Sequence, residues 1–181
     1  HKRSVVHRDI KPENIFLARS GGGSTVKLLD FGLSKLITPA VDEHGDEFTQ
    51  LTRAGITMGT PYYMAPEQAF GDRNLDARVD LWAVGVTLYE SLAGRRPFTA
   101  PNRRALMKSI VTDKHPPLAS FRQDLPPELE QILDKALTKN RDDRYPTASA
   151  FKADLLALLK LVHDKKRPSS GGSGSAAPAS G

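Results

Sequence analysis

Apolar residues recur at helical spacing in several stretches of the chain. Phe151, Leu155, Leu158 and Val162 stand at i, i+4, i+7 and i+11, which is one face of a helix, with Thr147 just ahead as its N-cap. Leu129, Ile132, Leu133, Ala136 and Leu137 mark a second helix, opened by Pro126 and Pro127, because proline suits a first helical turn. Residues 103–112 allow a third. The segment 78–93 differs from these. Its Val79, Leu81, Trp82, Val84, Val86, Leu88, Tyr89 and Leu92 cover the whole circumference, and a helix apolar on every side belongs in the middle of a core. Within it sits Asp80, a carboxylate that must find donors once buried.

Nearer the start, Ile15-Phe16-Leu17 and Val26-Lys27-Leu28-Leu29 are short strand patterns. Between them Ser20-Gly21-Gly22-Gly23-Ser24 is a turn by composition. From Asp30 to Glu67 no periodicity holds for long, and a stretch of that length without its own elements is usually functional or disordered. Residues 168–181 contain only Ser, Gly, Ala and Pro. They cannot bury apolar surface and read as a flexible linker or tail. The pattern predicts an α+β chain, mostly α-helical, with one domain over residues 1–165 and the linker over 166–181.

At 181 residues and 39% hydrophobic, the chain can build one compact core but not two ordinary ones. Zero cysteines exclude a disulfide scaffold and thiolate metal sites. No apolar run approaches the roughly 18 residues of a membrane span. The chain opens on His1 and is expected to be a piece of something longer. The net charge of +5 comes from 26 Lys and Arg against 21 Asp and Glu, interspersed along the chain. That mixture reads as solvated surface, so no nucleic-acid partner is expected. Asp42-Glu43-His44-Gly45-Asp46-Glu47 reads as a solvated acidic loop. The five histidines are scattered without His-Glu-x-x-His spacing, which gives no expectation of a transition-metal site.

The chemistry-bearing clusters are His7-Arg8-Asp9-Ile10-Lys11-Pro12-Glu13-Asn14 and Asp30-Phe31-Gly32, the latter directly after a strand pattern. Each alone could be a charged loop or a simple turn. Together they offer two carboxylates, an amide and an ammonium near strand ends, a set suited to holding Mg²⁺ by oxygen while a cation meets a phosphate.

With Gly59-Thr60-Pro61-Tyr62-Tyr63-Met64-Ala65-Pro66-Glu67, Asp80-Leu81-Trp82 plus Gly85, and Arg144, the chain resembles the C-terminal lobe of protein kinases from His7 to Arg144. The resemblance implies a protein-kinase-like fold without its N-terminal lobe. It implies ATP and Mg²⁺ as cofactors and transfer of the γ-phosphoryl group to Ser/Thr hydroxyls of protein substrates. Asp9 would be the catalytic base and Lys11 would neutralise the transferring phosphoryl group. Asn14 and Asp30 would hold Mg²⁺. Phe16 and Leu29 would form the apolar floor under adenine, with plain strand core an equal reading. Thr60, with Lys11, resembles the serine/threonine-specific pattern and would shape the acceptor site. His7, Phe31, Gly32, Glu67, Asp80, Trp82 and Arg144 would be structural, with Glu67 paired to Arg144 and Asp80 bonded to the catalytic-loop backbone.

Met64-Ala65-Pro66-Glu67-Gln68 looks most like bacterial serine/threonine kinases of the eukaryotic type. That group implies a cytoplasmic location or the cytoplasmic side of a membrane, with a membrane or sensor domain beyond the linker. It also implies a phosphorylation switch, with Arg8 as the phosphate partner and Thr52 the leading site, ahead of Thr49 and Thr57. No Gly-rich loop, lysine-bearing strand or glutamate-bearing helix of the family appears in the chain. The isolated chain is therefore expected to be inactive and to expose the apolar face the missing lobe covers. The competing reading is a pseudokinase or a truncated binding module, and the presence of Asp9, Lys11, Asn14 and Asp30 together speaks against it.

Overall fold

The computed structural model describes residues 5–29, 61–72 and 74–166. Asp30, Phe31, Gly32, Thr49, Thr52, Thr57 and Thr60 lie outside the described residues, as does the 168–181 tail.

Strands β1 (Ile15–Ser20) and β2 (Gly23–Leu28) form an antiparallel hairpin, in register from Ile15 opposite Leu28 to Ser20 opposite Gly23. The turn is shorter than the composition suggested. Gly23 and Ser24 belong to the ladder, because backbone pairing needs no apolar side chain, and two residues suffice for a tight hairpin connection. Among the described residues the pair has no third strand, and its outer end is open to solvent: Phe16 is 54% exposed, and Leu17 and Val26 are each 62% exposed. This corrects the reading of Phe16 and Leu29 as strand core. Leu29, just past β2, is 43% exposed. Only Ile15 and Leu28, at the hairpin's base, pack against the main core.

The α-helices of the described chain are α1 (Pro66–Ala69), α2 (Arg78–Ala93), α3 (Arg103–Thr112), α4 (Pro127–Ala136) and α5 (Ala148–Lys166). As its all-round apolar pattern demands, α2 runs through the centre and buries Val79, Leu81, Trp82, Val86 and Tyr89. Its neighbour α4 comes so close that a Cβ added at Gly85 would lie 3.0 Å from the Cβ of Ala136 and 3.1 Å from Leu137 Cδ2. The helix stops at Gly94, whose φ of 69° is the left-handed cap that glycine adopts at little cost. Side chains fix two other starts. The Asn102 side chain accepts the N–H of Ala105 at 2.9 Å ahead of α3, and Thr147 Oγ1 accepts that of Ala150 at 3.1 Å ahead of α5.

Aromatic stacks join these helices to the connecting segments. Trp82 stacks on Phe98 with ring centroids 5.7 Å apart, and Tyr145 stacks on Phe151 at 4.7 Å. The Lys139 ammonium sits 3.9 Å from the centre of the Phe98 ring and donates to the carbonyl of Ile110 at 2.7 Å. Burial pushes this amine down to about 8, since taking a charge out of water disfavours the protonated form.

Candidate active site

The site begins with a buried carboxylate. Asp80, in the first turn of α2, accepts the backbone N–H of His7 through Oδ2 and that of Arg8 through Oδ1, both at 2.8 Å. Burial pushes its carboxyl up, and the two backbone donors oppose that shift by stabilising the anion. Arg8 has a φ of 65°, a left-handed backbone that a side chain with a Cβ rarely adopts. The bond to Asp80 holds it there, and strain of this kind persists only where surrounding contacts over-determine the backbone. The chain thereby reverses direction just before Asp9.

His7 ties the same loop to the hairpin. Its Nδ1 accepts the Asp9 N–H at 3.4 Å, so Nε2 carries the proton and donates to the carbonyl of Leu29 at 3.0 Å. Leu29 in turn donates its N–H to the carbonyl of Asn14 at 2.9 Å. Residue 29, which immediately precedes Asp30, is thus clamped between both ends of the 7–14 loop.

Inside the loop three polar side chains converge. Lys11 Nζ donates to Asp9 Oδ2 at 2.9 Å, and Asn14 Nδ2 donates to the same oxygen at 3.0 Å and to the Asp9 carbonyl at 2.8 Å. Pro12 opens a 3-10 turn over Pro12–Asn14, its fixed φ suiting a first helical position, and this turn swings Asn14 back beneath Asp9. Asn14 is buried, whereas the Asp9 side chain is 44% exposed. Both bonds to the Asp9 carboxylate fall on Oδ2, so among the described residues Oδ1 is the oxygen left for an incoming proton.

The segment after residue 60 packs alongside. A 3-10 turn at Pro61–Tyr63 leads into α1, where the Gln68 side chain accepts the Ala65 N–H at 3.0 Å. Tyr63 donates its hydroxyl to Glu90 at 2.6 Å, and burial together with that acceptor pushes the phenol up to about 12. Arg96 lies 4.0 Å over the Tyr62 ring and donates to Glu90 at 3.2 Å. The far end is fixed by Glu67, whose two oxygens each accept a 2.7 Å bond from the Arg144 guanidinium. Trp82 lies below, with Arg144 4.9 Å over its ring.

The structure thus brings Asp9, Lys11 and Asn14 together, hangs them on His7 and Asp80, and joins Glu67 to Arg144. Phe16 stands apart from that cluster on the exposed hairpin. Sequence reasoning missed Glu90 and Arg96, which hold Tyr62 and Tyr63. It also missed the Leu29 carbonyl that receives His7. Neither contact has a local signal, because the partners are 27, 33 or 22 residues apart in the chain.

A loop carrying Asp, Lys and Asn, pinned by a buried helical Asp and followed by a helix locked through a Glu–Arg pair, leaves few families to consider. The sequence matches the protein kinase domain over residues 1–156. The chain belongs to the protein kinase family. Among its relatives, the serine/threonine-protein kinase Pkn1 of Myxococcus xanthus is 42% identical over 160 residues, covering 88% of this chain and 22% of that protein. The tyrosine-protein kinase MasK of the same species is 44% identical over 160 residues, covering 88% of this chain and 23% of its own length. The serine/threonine-protein kinase PknB of Mycolicibacterium smegmatis is 34% identical over 168 residues, covering 93% and 24%. The kinase chain therefore spans about a quarter of these relatives' lengths. Its described part is mostly helical with a small two-stranded sheet, consistent with the protein kinase fold.

Proposed function

We propose that this chain is the catalytic-loop half of a serine/threonine protein kinase, acting in a longer protein that transfers the γ-phosphoryl group of ATP to Ser/Thr hydroxyls. The observation that carries the reading is the convergence of Lys11 and Asn14 on one oxygen of Asp9. Asp9 Oδ1 orients the acceptor hydroxyl and takes its proton. Lys11, held 2.9 Å from Asp9, lies where positive charge offsets that developing on the phosphoryl oxygens.

The donor set fits Mg²⁺. The amide nitrogen of Asn14 is committed to Asp9, so its carbonyl oxygen is what it offers a hard cation, and Asp30 supplies a carboxylate one residue beyond the clamped Leu29. Bound Mg·ATP would supply the phosphoryl group and neutralise its oxygens. Phe16 and Leu29 would meet the adenine from below. An N-terminal lobe elsewhere in the whole protein would close over the nucleotide, and the exposed Phe16, Leu17, Val26 and Leu29 support the need for such a cover.

In this reading Thr60 shapes the acceptor site, and acceptor choice is open to test because one relative is named a tyrosine kinase. Thr52, ahead of Thr49 and Thr57, becomes the phosphate partner of Arg8, whose side chain is exposed. The location is cytoplasmic or on the cytoplasmic face of a membrane. The test is phosphoamino-acid analysis of a general protein substrate incubated with the full-length kinase and Mg·ATP. Phosphoserine and phosphothreonine are expected, lost by at least about 100-fold in Asp9→Asn. Phosphotyrosine alone, or full activity in Asp9→Asn, would overturn the assignment.

A further inference from the structure

Beside Tyr89 of α2, the tertiary fold gathers His115, Glu130 and Asp134, with ligand atoms within 4.8 Å of one another. Glu130 and Asp134 are four residues apart on α4, so both carboxylates share one helix face. His115 comes from the segment after α3, and its side chain is only 2% exposed. Its Nδ1 lies 3.1 Å from the Pro116 carbonyl. A carbonyl can only accept, so Nδ1 carries a proton, and in that tautomer Nε2 presents a lone pair. That Nε2 is buried without a hydrogen-bond partner, and 3.1 Å away stands the carboxylate oxygen Oδ1 of Asp134. Two such atoms at this distance need either a proton or a metal ion between them.

We propose that His115 Nε2 and Asp134 Oδ1, joined by Glu130, form a site for a divalent transition metal of the Zn²⁺ class. With bonds of about 2.05 Å to each atom, their separation corresponds to an N–metal–O angle of roughly 98°, close to tetrahedral. Imidazole and carboxylate are donors that such an ion takes readily, and a histidine ligand characteristically gives its other N–H to a backbone carbonyl, as His115 does to Pro116. The ring is further fixed by Tyr89, whose edge packs on it at 5.5 Å and whose hydroxyl donates to the same carbonyl at 2.9 Å. Glu130 Oε2 is held by the Leu118 N–H at 2.7 Å, and its Oε1, 3.9 Å from His115 Nδ1, reaches an ion at Nε2 only by rotation of the side chain. A cavity of about 420 Å³, lined in part by Thr112, His115, Asp134 and Thr138, gives an entry path and space for a water ligand. Two lysines border the same cavity: Lys114, 3.3 Å from Asp134 Oδ1, is 74% exposed and makes a weak ion pair, and Lys139 donates to the Ile110 carbonyl. The site lies apart from Asp9 and Asn14, and would staple α4 to the chain segment that follows α3.

The experiment is a titration of the metal-free protein with Zn²⁺, followed by calorimetry and by ¹⁵N NMR of the histidine rings. The expected result is one equivalent bound, with the His115 Nε2 resonance shifted on binding. Asp134→Asn, at a position 40% exposed, should weaken binding by about 10-fold or more, and His115→Gln should abolish it. The control His163→Gln, beside Asp164 on the exposed face of α5, should leave the affinity unchanged. Equal Zn²⁺ affinity in wild type and Asp134→Asn, loss of binding in His163→Gln, or a His115 Nε2 resonance that does not move in excess Zn²⁺ would each overturn the site.

Discussion

Arg144 meets Glu67 through two parallel hydrogen bonds of 2.7 Å, across 77 residues of chain, with the arginine side chain fully buried. The guanidinium also donates to the carbonyls of Thr138 and Lys139 at 2.7 and 2.9 Å, so two more of its five donors are spent on the turn after α4. The pair joins the helix that follows the 61–66 segment to the base of the helical body. Desolvating two charges is costly, and the bidentate geometry with its extra carbonyl acceptors is what offsets that cost.

Removing one partner should therefore be worse than removing an ordinary surface contact. Arg144→Ala is predicted to cost about 3–5 kcal/mol, because it strands the Glu67 carboxylate in a low-dielectric site. Urea denaturation measures it. A change within about 0.5 kcal/mol, the size of a surface substitution, would contradict the buried pair.

Gly85→Ala should destabilise the packing of α2 on α4. Alanine gains up to about 1 kcal/mol of helix propensity over glycine, but the added methyl would press on Ala136 Cβ at 3.0 Å, and overpacking typically costs about 1–3 kcal/mol. The cost should shrink in an Ala136→Gly background, which removes the atom it strikes. Thermal denaturation of the double-mutant cycle tests this, and strictly additive effects would show that the two sites do not touch.

Lys139 predicts an unusual alkaline profile. Its folded value of about 8 lies below the ordinary 10.5, so between those limits the unfolded chain binds the extra proton. Stability should thus rise with pH from about 8 towards 10.5, and be independent of this group below 8. Tyr63 and Tyr89 act in the opposite sense. Burial raises both to about 12, so their contribution is lost as pH climbs from 10 through 12. A stability maximum near pH 10 is expected. Chemical denaturation across pH 7–11 should show the rising limb in wild type and not in Lys139→Met; an identical limb in both would assign it to another group.

The hairpin's exposed face makes a prediction about association. Leu17 and Val26 are directly opposed across the ladder, and both are open to water. Leu17→Thr with Val26→Thr should change folding stability by no more than about 0.5 kcal/mol while reducing self-association of the chain. Sedimentation velocity decides between that and unchanged association, which would place the sticky surface elsewhere.

Much of this architecture is legible one residue at a time. The all-round apolar pattern of residues 78–93 determined a central helix, and the spacing from Phe151 to Val162 determined an amphipathic one with Thr147 as its cap. These patterns succeed because helix formation and burial are governed by neighbours three and four positions away. The Asp9, Lys11 and Asn14 cluster was equally visible, since a six-residue loop keeps its members close whatever the fold. What the sequence could not decide were matters of long-range approach. Phe16 and Leu17 carry the same apolar signature as core strands, yet they face solvent, because burial depends on whether a second layer arrives. Asp80 announced only a need for donors; the two N–H groups that meet it come from 72 and 73 residues away. His115 and Asp134 look unrelated along the chain and become a donor pair 3.1 Å apart only when α4 packs beside the segment after α3. Local propensity is written in the sequence, whereas a contact between distant groups exists only after packing has brought them together and removed the water between them.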